Sequence, residues 1–355
     1  MDPRDRDCKA IVVRLPNWVG DVVMATPLLR AVRGAAPHAA ITAVGTPAAG
    51  RLLQGSPFFD RYQALDRRGR HGGWLGWWKA GRDLAAGGRP DLHLLLPHSL
   101  SSALVAKASG ARCVAGYWTR ERGLLLDVKP RPAMEGRRRL PIPMTRLYLD
   151  LLRALGPDAR DERLALSISA DERARAAVEL ARLGVADDEP FAAVNPGAAF
   201  GASKFWTVEE FAATVRGLAE RQRLRTLILC GPGEEALARS IAQAAGAAAI
   251  DTSAAPIALE LLKPVLQRAR LLVTTDTGPR HVATAVGTPC VVVMGPTDPR
   301  HTASNLERTR VLRVDVPCGP CHLKVCPLDH RCMTSLTAEM ALRAAAELLA
   351  LPPAA

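Results

Sequence analysis

Three short stretches hold side chains whose types and spacing could do chemistry. In Pro16-Asn17-Trp18-Val19-Gly20-Asp21 a carboxylate follows a glycine just after an apolar run. Asp21 at such a strand-to-helix turn could take a proton from a hydroxyl; it could equally serve only as the N-cap that Asp favours. In Asn195-Pro196-Gly197-Ala198-Ala199-Phe200-Gly201-Ala202-Ser203-Lys204, Gly197 and the small residues around it let backbone N–H groups approach an oxyanion, and Lys204 adds a point charge. An ordinary loop running into a capped helix is the plainer alternative. In Asp276-Thr277-Gly278-Pro279-Arg280-His281 a strand ends at Asp276 and Pro279 suits the first helical position. The uncompensated N–H groups and positive end of that helix suit a diphosphate, with His281 in the first turn.

A second set of residues has less specific chemistry. Cys318, Cys321, Cys326 and Cys332 fall close together, with His322 and His330 among them. The CxxC opening resembles a zinc knuckle but the second half is not CxxC, so a structural zinc site, reduced thiols and a local disulfide all stay open. None of these makes the cluster catalytic. The isolated Cys8, Cys113, Cys230 and Cys290 read as small core residues. Two basic runs, Arg67-Arg68-Gly69-Arg70-His71 and Arg137-Arg138-Arg139, are either solvated surface or, through Arg67, Arg68, Arg137 and Arg138, contacts for an anionic acceptor. Trp74, Trp77 and Trp78 nearby could form a helix face resting on core or on lipid.

These groups need elements to hold them. Apolar runs such as Lys9–Leu15, Leu92–Leu96, Phe191–Asn195 and Leu271–Thr275 alternate with helical stretches, which implies parallel sheets covered on both faces. A helix from about Asp21 to Arg33 should bend or restart at Pro27. Thr207 with Glu210 reads as a capping box. With 355 residues, two domains are expected: residues 1–160 and 170–355, the boundary lying in Leu155–Ala170. The C-terminal helix, Ala338–Leu351, is a candidate to pack back on the N-terminal domain. Two doubly wound halves would face a central cleft, with ligands outside the strand ends.

Composition and missing motifs narrow the function. Hydrophobic residues at 48% and charged residues at 23% exclude disorder and fibre. The apolar stretches are too short to span a bilayer. The charged start, Met1–Asp7, has no apolar segment behind it, so a cytoplasmic protein without a secretory signal is expected. The net charge of +12 favours anionic partners. No GxGxxG follows the first strand, and neither GxxxxGK[ST] nor GxSxG occurs, so a simple dinucleotide oxidoreductase, a P-loop ATPase and an α/β-hydrolase lose support. At 4% aromatic residues, a nucleic-acid-binding platform ranks well below an enzyme and no nucleic-acid partner is expected.

The three stretches, read as NWVGDVVMATPLLRAVR, NPGAAFGASKFW and TTDTGPRHVATAVGTPCVVVMGPT, resemble glycosyltransferase family 9, the heptosyltransferases, most strongly the heptosyltransferase II branch. The resemblance runs from Val12 to the C-terminal helix. It implies an α/β GT-B fold of two Rossmann-like domains. It also implies inverting transfer of heptose from an ADP-activated donor on the C-terminal domain to a lipopolysaccharide inner-core acceptor on the N-terminal one. By the same resemblance Asp21 is the catalytic base, and Gly197 and Lys204 belong to the diphosphate loop. Asp276, Thr277, Gly278 and His281 form the donor-binding DTGxxH set, and Glu235 is the ribose-binding carboxylate. Arg280 stands where the family often has Met, and Ala199 where it often has Glu. No catalytic metal is expected. The enzyme would be cytoplasmic, working peripherally at the inner-membrane face. Another GT-B enzyme, such as a nucleotide-sugar epimerase or a transferase of a different sugar, is the alternative.

Overall fold

A computed structural model describes residues 1–136 and 138–352, and the chain divides into two units. The first comprises Met1–Ser167 with Arg300–Ser304, the second Ile168–Pro299 with Asn305–Ala355.

In the first unit, β1 (Ala10–Arg14), β2 (Ala40–Gly45), β3 (Arg61–Ala64), β4 (Leu92–Leu95) and β5 (Cys113–Gly116) form one parallel sheet in the order β3-β2-β1-β4-β5. The central strands are rich in Ile, Val and Leu, as strands covered on both faces require, with His93 buried within β4. Around the sheet run α1 (Val19–Met24), α2 (Thr26–Ala35), α3 (Pro47–Leu52), α4 (Gly76–Ala85), α5 (Leu100–Ala108) and α6 (Met144–Arg153). The helix expected across Pro27 is two helices, parted at Ala25, which ends α1 and caps α2, with Pro27 in the first turn of α2. A two-strand antiparallel pair, β6 (Met134–Glu135) and β7 (Arg138–Arg139), lies apart.

The second unit repeats the architecture. Strands β8 (Phe191–Asn195), β9 (Arg225–Ile228), β10 (Ala249–Asp251), β11 (Leu271–Thr275), β12 (Cys290–Val293) and β13 (Thr309–Leu312) are all parallel, in the order β10-β9-β8-β11-β12-β13. The helices are α7 (Ala170–Arg182), α8 (Val208–Gln222), α9 (Glu235–Ala245), α10 (Leu262–Arg268), α11 (Gly278–Ala285), α12 (Arg331–Thr334) and α13 (Ala338–Leu349). In each sheet the strand order reverses once, between β1 and β4 and between β8 and β11. Doubly wound sheets bind ligands outside the strand ends at this reversal.

The C-terminal helix α13 buries Ala341, Leu342, Ala345 and Leu348 in the core of the second unit, beside Trp206 and Phe211. One expectation about helices needs correction. The Thr207–Glu210 pair is half a capping box: Thr207 caps α8 at the Glu210 N–H, but the Glu210 carboxylate accepts from the Ala338 N–H and so caps α13 instead. The complete capping box is Ser169 with Glu172 at α7.

Candidate active site

At the reversal in the second sheet, the polar ends of β8 and β11 are stitched together. Buried Thr274 Oγ1 donates to the Asn195 carbonyl (3.2 Å), and Thr275 Oγ1 donates to the Gly197 carbonyl (3.0 Å). Asn195 Nδ2 donates to both the Gly197 carbonyl and Thr277 Oγ1, each at 3.3 Å. These bonds fix the 195–197 turn against the start of α11. Thr277 is the N-cap of α11, with no side-chain bond to the first-turn amides, and Pro279 occupies the first turn. The positive end of the helix is left to meet an anion.

Beside it, Asp276 binds two cations. Lys204 Nζ donates to Asp276 Oδ2 (3.0 Å) and to the Asp276 carbonyl (2.6 Å), and Arg280 Nη1 donates to Oδ1 (2.8 Å). Thr297 Oγ1 donates to Oδ2 (3.0 Å). Burial alone would raise this carboxyl, but Lys204 and Arg280 outweigh it and hold Asp276 well below the usual carboxylate range. Burial, with help from Arg280, pushes His281 down to about 3, so its imidazole is neutral at pH 7. Two cations against one carboxylate leave the cluster positive at a helix start, which suits a diphosphate.

The structure thus brings Gly197, Lys204, Asp276, Thr277, Gly278 and His281 to one strand edge. Asp276 acts there as a support: its oxygens are occupied by Lys204, Arg280 and Thr297. Arg280 and Thr297 join the site beyond the residues expected from the sequence; Arg280 lies within the DTGPRH stretch itself, and Thr297 within the GPT that follows β12. Glu235 lies in the first turn of α9, and its carboxyl is lowered by its own and the Gly233 backbone amides. The carboxylate facing the Gly197 turn is that of its neighbour: Glu234 accepts from the Gly231 N–H (2.8 Å), and a Cβ at Gly197 would collide with it.

The cysteine loop braces this site. Ser203 N donates to the Lys324 carbonyl (3.0 Å), Ser203 Oγ donates to the Leu323 carbonyl, and His330 Nε2 bonds the Ser203 carbonyl (2.6 Å). Gly201, at φ +152°, packs so close to Lys324 that only glycine fits. Cys318, Cys321, Cys326 and Cys332 all line one small cavity. Among the described residues, however, no three or more His, Cys, Asp or Glu are arranged to hold a metal ion, so the zinc expectation gains no geometric support.

In the first unit, Asp21 is not the helix cap. Trp18 occupies that position without a side-chain bond, and Asp21 lies in the first turn of α1. Burial, then the Asp21 charge, pushes the Tyr148 phenol well above its ordinary value, which places the carboxylate near α6. Arg67 and Arg68 are exposed on the loop after β3. Arg137 lies outside the described residues, and Arg138 is in β7. Trp77 packs on the core, whereas Trp74 and Trp78 are exposed.

The family model described as Glycosyltransferase family 9 (heptosyltransferase) matches residues 77–332. The chain belongs to this family. A curated relative, Escherichia coli K12 lipopolysaccharide heptosyltransferase 2, is 26% identical over 86% of this glycosyltransferase and 88% of its own length. Campylobacter jejuni lipooligosaccharide heptosyltransferase 2 is 28% identical over 44% of this chain, a match that spans 50% of that protein. The fold matches the solved E. coli ADP-heptose LPS heptosyltransferase II with a TM-score of 0.76 at 22% identity, covering 96% and 98% of the two chains. The glycosyltransferase therefore has the GT-B type of fold, two parallel-sheet α/β domains. Among its described residues no helix is long and apolar enough to cross a membrane.

Proposed function

We propose that the protein is an inverting heptosyltransferase of the heptosyltransferase II type, moving heptose from ADP-heptose to the lipopolysaccharide inner core. The observation that carries this reading is the Lys204–Asp276–Arg280 cluster at the start of α11. In this reading the donor diphosphate sits on the α11 amides and Lys204, with Glu234 or Glu235 on the ribose. Asp21 takes the proton from the acceptor hydroxyl as its oxygen bonds to the anomeric carbon and the diphosphate departs. Charge on the departing group is met by Lys204 and the helix start, so no step is assigned to a metal. The enzyme works peripherally at the cytoplasmic face of the inner membrane. Exposed Trp74, Leu75 and Trp78, near Arg67 and Arg68 in sequence, support binding to an anionic lipid surface.

The test is a transfer assay with ADP-heptose and truncated cores differing by one sugar. One core should accept heptose, at a rate indifferent to chelator. Absence of product with every core, or epimerised sugar from donor alone, would overturn the reading.

A further inference from the structure

Three parallel strands of the second sheet end side by side. In the register of β11, β12 and β13, Thr275 pairs with Val293 and Val293 with Leu312. The next residues along are Asp276, Met294 and Arg313, and the Met294 N–H still donates to the Leu312 carbonyl (2.9 Å). Asp276 leads into α11. After Met294 the chain turns through Gly295-Pro296-Thr297, and this turn brings Thr297 Oγ1 to Asp276 Oδ2 (3.0 Å).

Arg313 closes on that turn. Its Nη1 donates to the Gly295 carbonyl (3.1 Å) and to the Thr297 carbonyl (2.9 Å). The Pro296 carbonyl between them accepts from the His322 N–H (2.9 Å). Three successive carbonyls are thus held by the segment that follows β13. Pro296 fixes its own φ, and a Cβ at Gly295 would collide with the side chains of Cys332 and Met333, so the turn is confined on that side as well. The Arg313 side chain is 15% exposed, whereas Asp315, 3.2 Å from its Nε, is 97% exposed. An ion pair so open to water contributes little. The shielded, charge-assisted bonds to the two carbonyls are the stronger contacts of this arginine.

The contacts run on to the start of α11. Thr297 Oγ1 and Lys204 Nζ both donate to the same oxygen, Asp276 Oδ2, at 3.0 Å each. The orientation of Asp276 that receives Lys204 is therefore the one that Thr297 also holds.

We infer that Arg313 is a positioning residue for the anion site at α11: it pins the 295–297 turn, so that Thr297 fixes the Asp276 carboxylate and Asp276 in turn aims Lys204. It acts through these residues and not on the ligand. The inference rests on the proposed function only in taking the ligand of this site to be a diphosphate.

The experiment is a double-mutant cycle on the full-length protein, with binding of inorganic pyrophosphate measured by calorimetry for wild type, Arg313→Met, Thr297→Val and the double variant. Each single change should weaken binding about three- to tenfold, the net worth of one hydrogen bond. The double variant should bind no more weakly than the weaker single one, because both changes cut the same chain of contacts. Arg313→Lys keeps the charge but shortens the reach, and takes the place of Arg313→Met in the same cycle should that variant not fold. Unchanged affinity in the Arg313 variant, losses that multiply in the double variant, or a wild type that binds no pyrophosphate would each overturn the inference. Pyrophosphate binding that depends on Arg313 in a protein that transfers no heptose would keep the positioning role and remove the proposed function. Heptose transfer with pyrophosphate binding indifferent to Arg313 would do the reverse.

Discussion

Lys204 Nζ lies 2.6 Å from the carbonyl oxygen of Asp276 and 3.0 Å from its Oδ2, across 72 residues of sequence. The lysine is thereby tied to the residue that leads into α11, and its remaining charge is directed at the helix start. Lys204→Ala should leave Asp276 paired with Arg280. Its main effect should be loss of a charge-assisted phosphate contact, about 1.5–3 kcal/mol of donor binding. Calorimetry with ADP measures it; unchanged affinity would detach Lys204 from the donor.

Arg280→Met tests the other half of the cluster. The residue is 2% exposed and its guanidinium pairs with Asp276 at 2.8 Å. Breaking a buried pair costs about 3–5 kcal/mol, and the lower end is expected because Lys204 and Thr297 still hold the carboxylate. Urea denaturation should show this loss. A variant of undiminished stability would mean that the pair contributes nothing net.

Asp21→Asn separates catalysis from helix stability. Since Trp18 is the cap, the change removes only a first-turn charge, worth about 0.3–1 kcal/mol. Loss of a general base should lower kcat by about 10²–10⁴-fold. Melting temperature and ADP affinity should stay near wild type. Wild-type turnover would exclude Asp21 as the base.

Acid should destabilise the fold through buried histidines. His93 in β4 and His281 are both pushed to about 3, by burial first. Below about pH 6.5 the unfolded chain gains protons that these residues refuse in the native state. Stability therefore falls as pH drops from about 6.5 toward about 3, by about 1.4 kcal/mol per pH unit for each histidine. His93→Leu should remove one such contribution. Denaturation at pH 7, 6 and 5 would show a shallower slope for the variant, and equal slopes would refute the assignment.

His330→Phe tests the brace from the cysteine loop. It deletes the bond to the Ser203 carbonyl, one residue before Lys204. Loss of about 0.5–1.5 kcal/mol of ordering should weaken ADP binding several-fold. A fall in stability with full ADP affinity would confine the loop to a structural role.

The alternation of apolar runs and helices was legible in the sequence because parallel strands buried on both faces must be continuously apolar. The turn after β1, the glycine loop after β8 and the Pro279 helix start were legible too, since each is a local backbone device with its own residue signature. The short edge strands β10 and β13 escaped, being partly exposed and weakly apolar. Local pattern also misjudged Glu210: its carboxylate bonds the Ala338 N–H, 128 residues away, a partner only the folded chain brings near. The same reason hid Thr297 as a partner of Asp276, 21 residues away, and placed Glu234 beside Gly197. It also hid Arg313, which looks like an ordinary strand end. Composition and spacing fix which backbone segments form, because those preferences act over a few residues. Which charges meet, and which turn a strand-end arginine holds, depends on strand order, and strand order is settled only by packing the whole sheet.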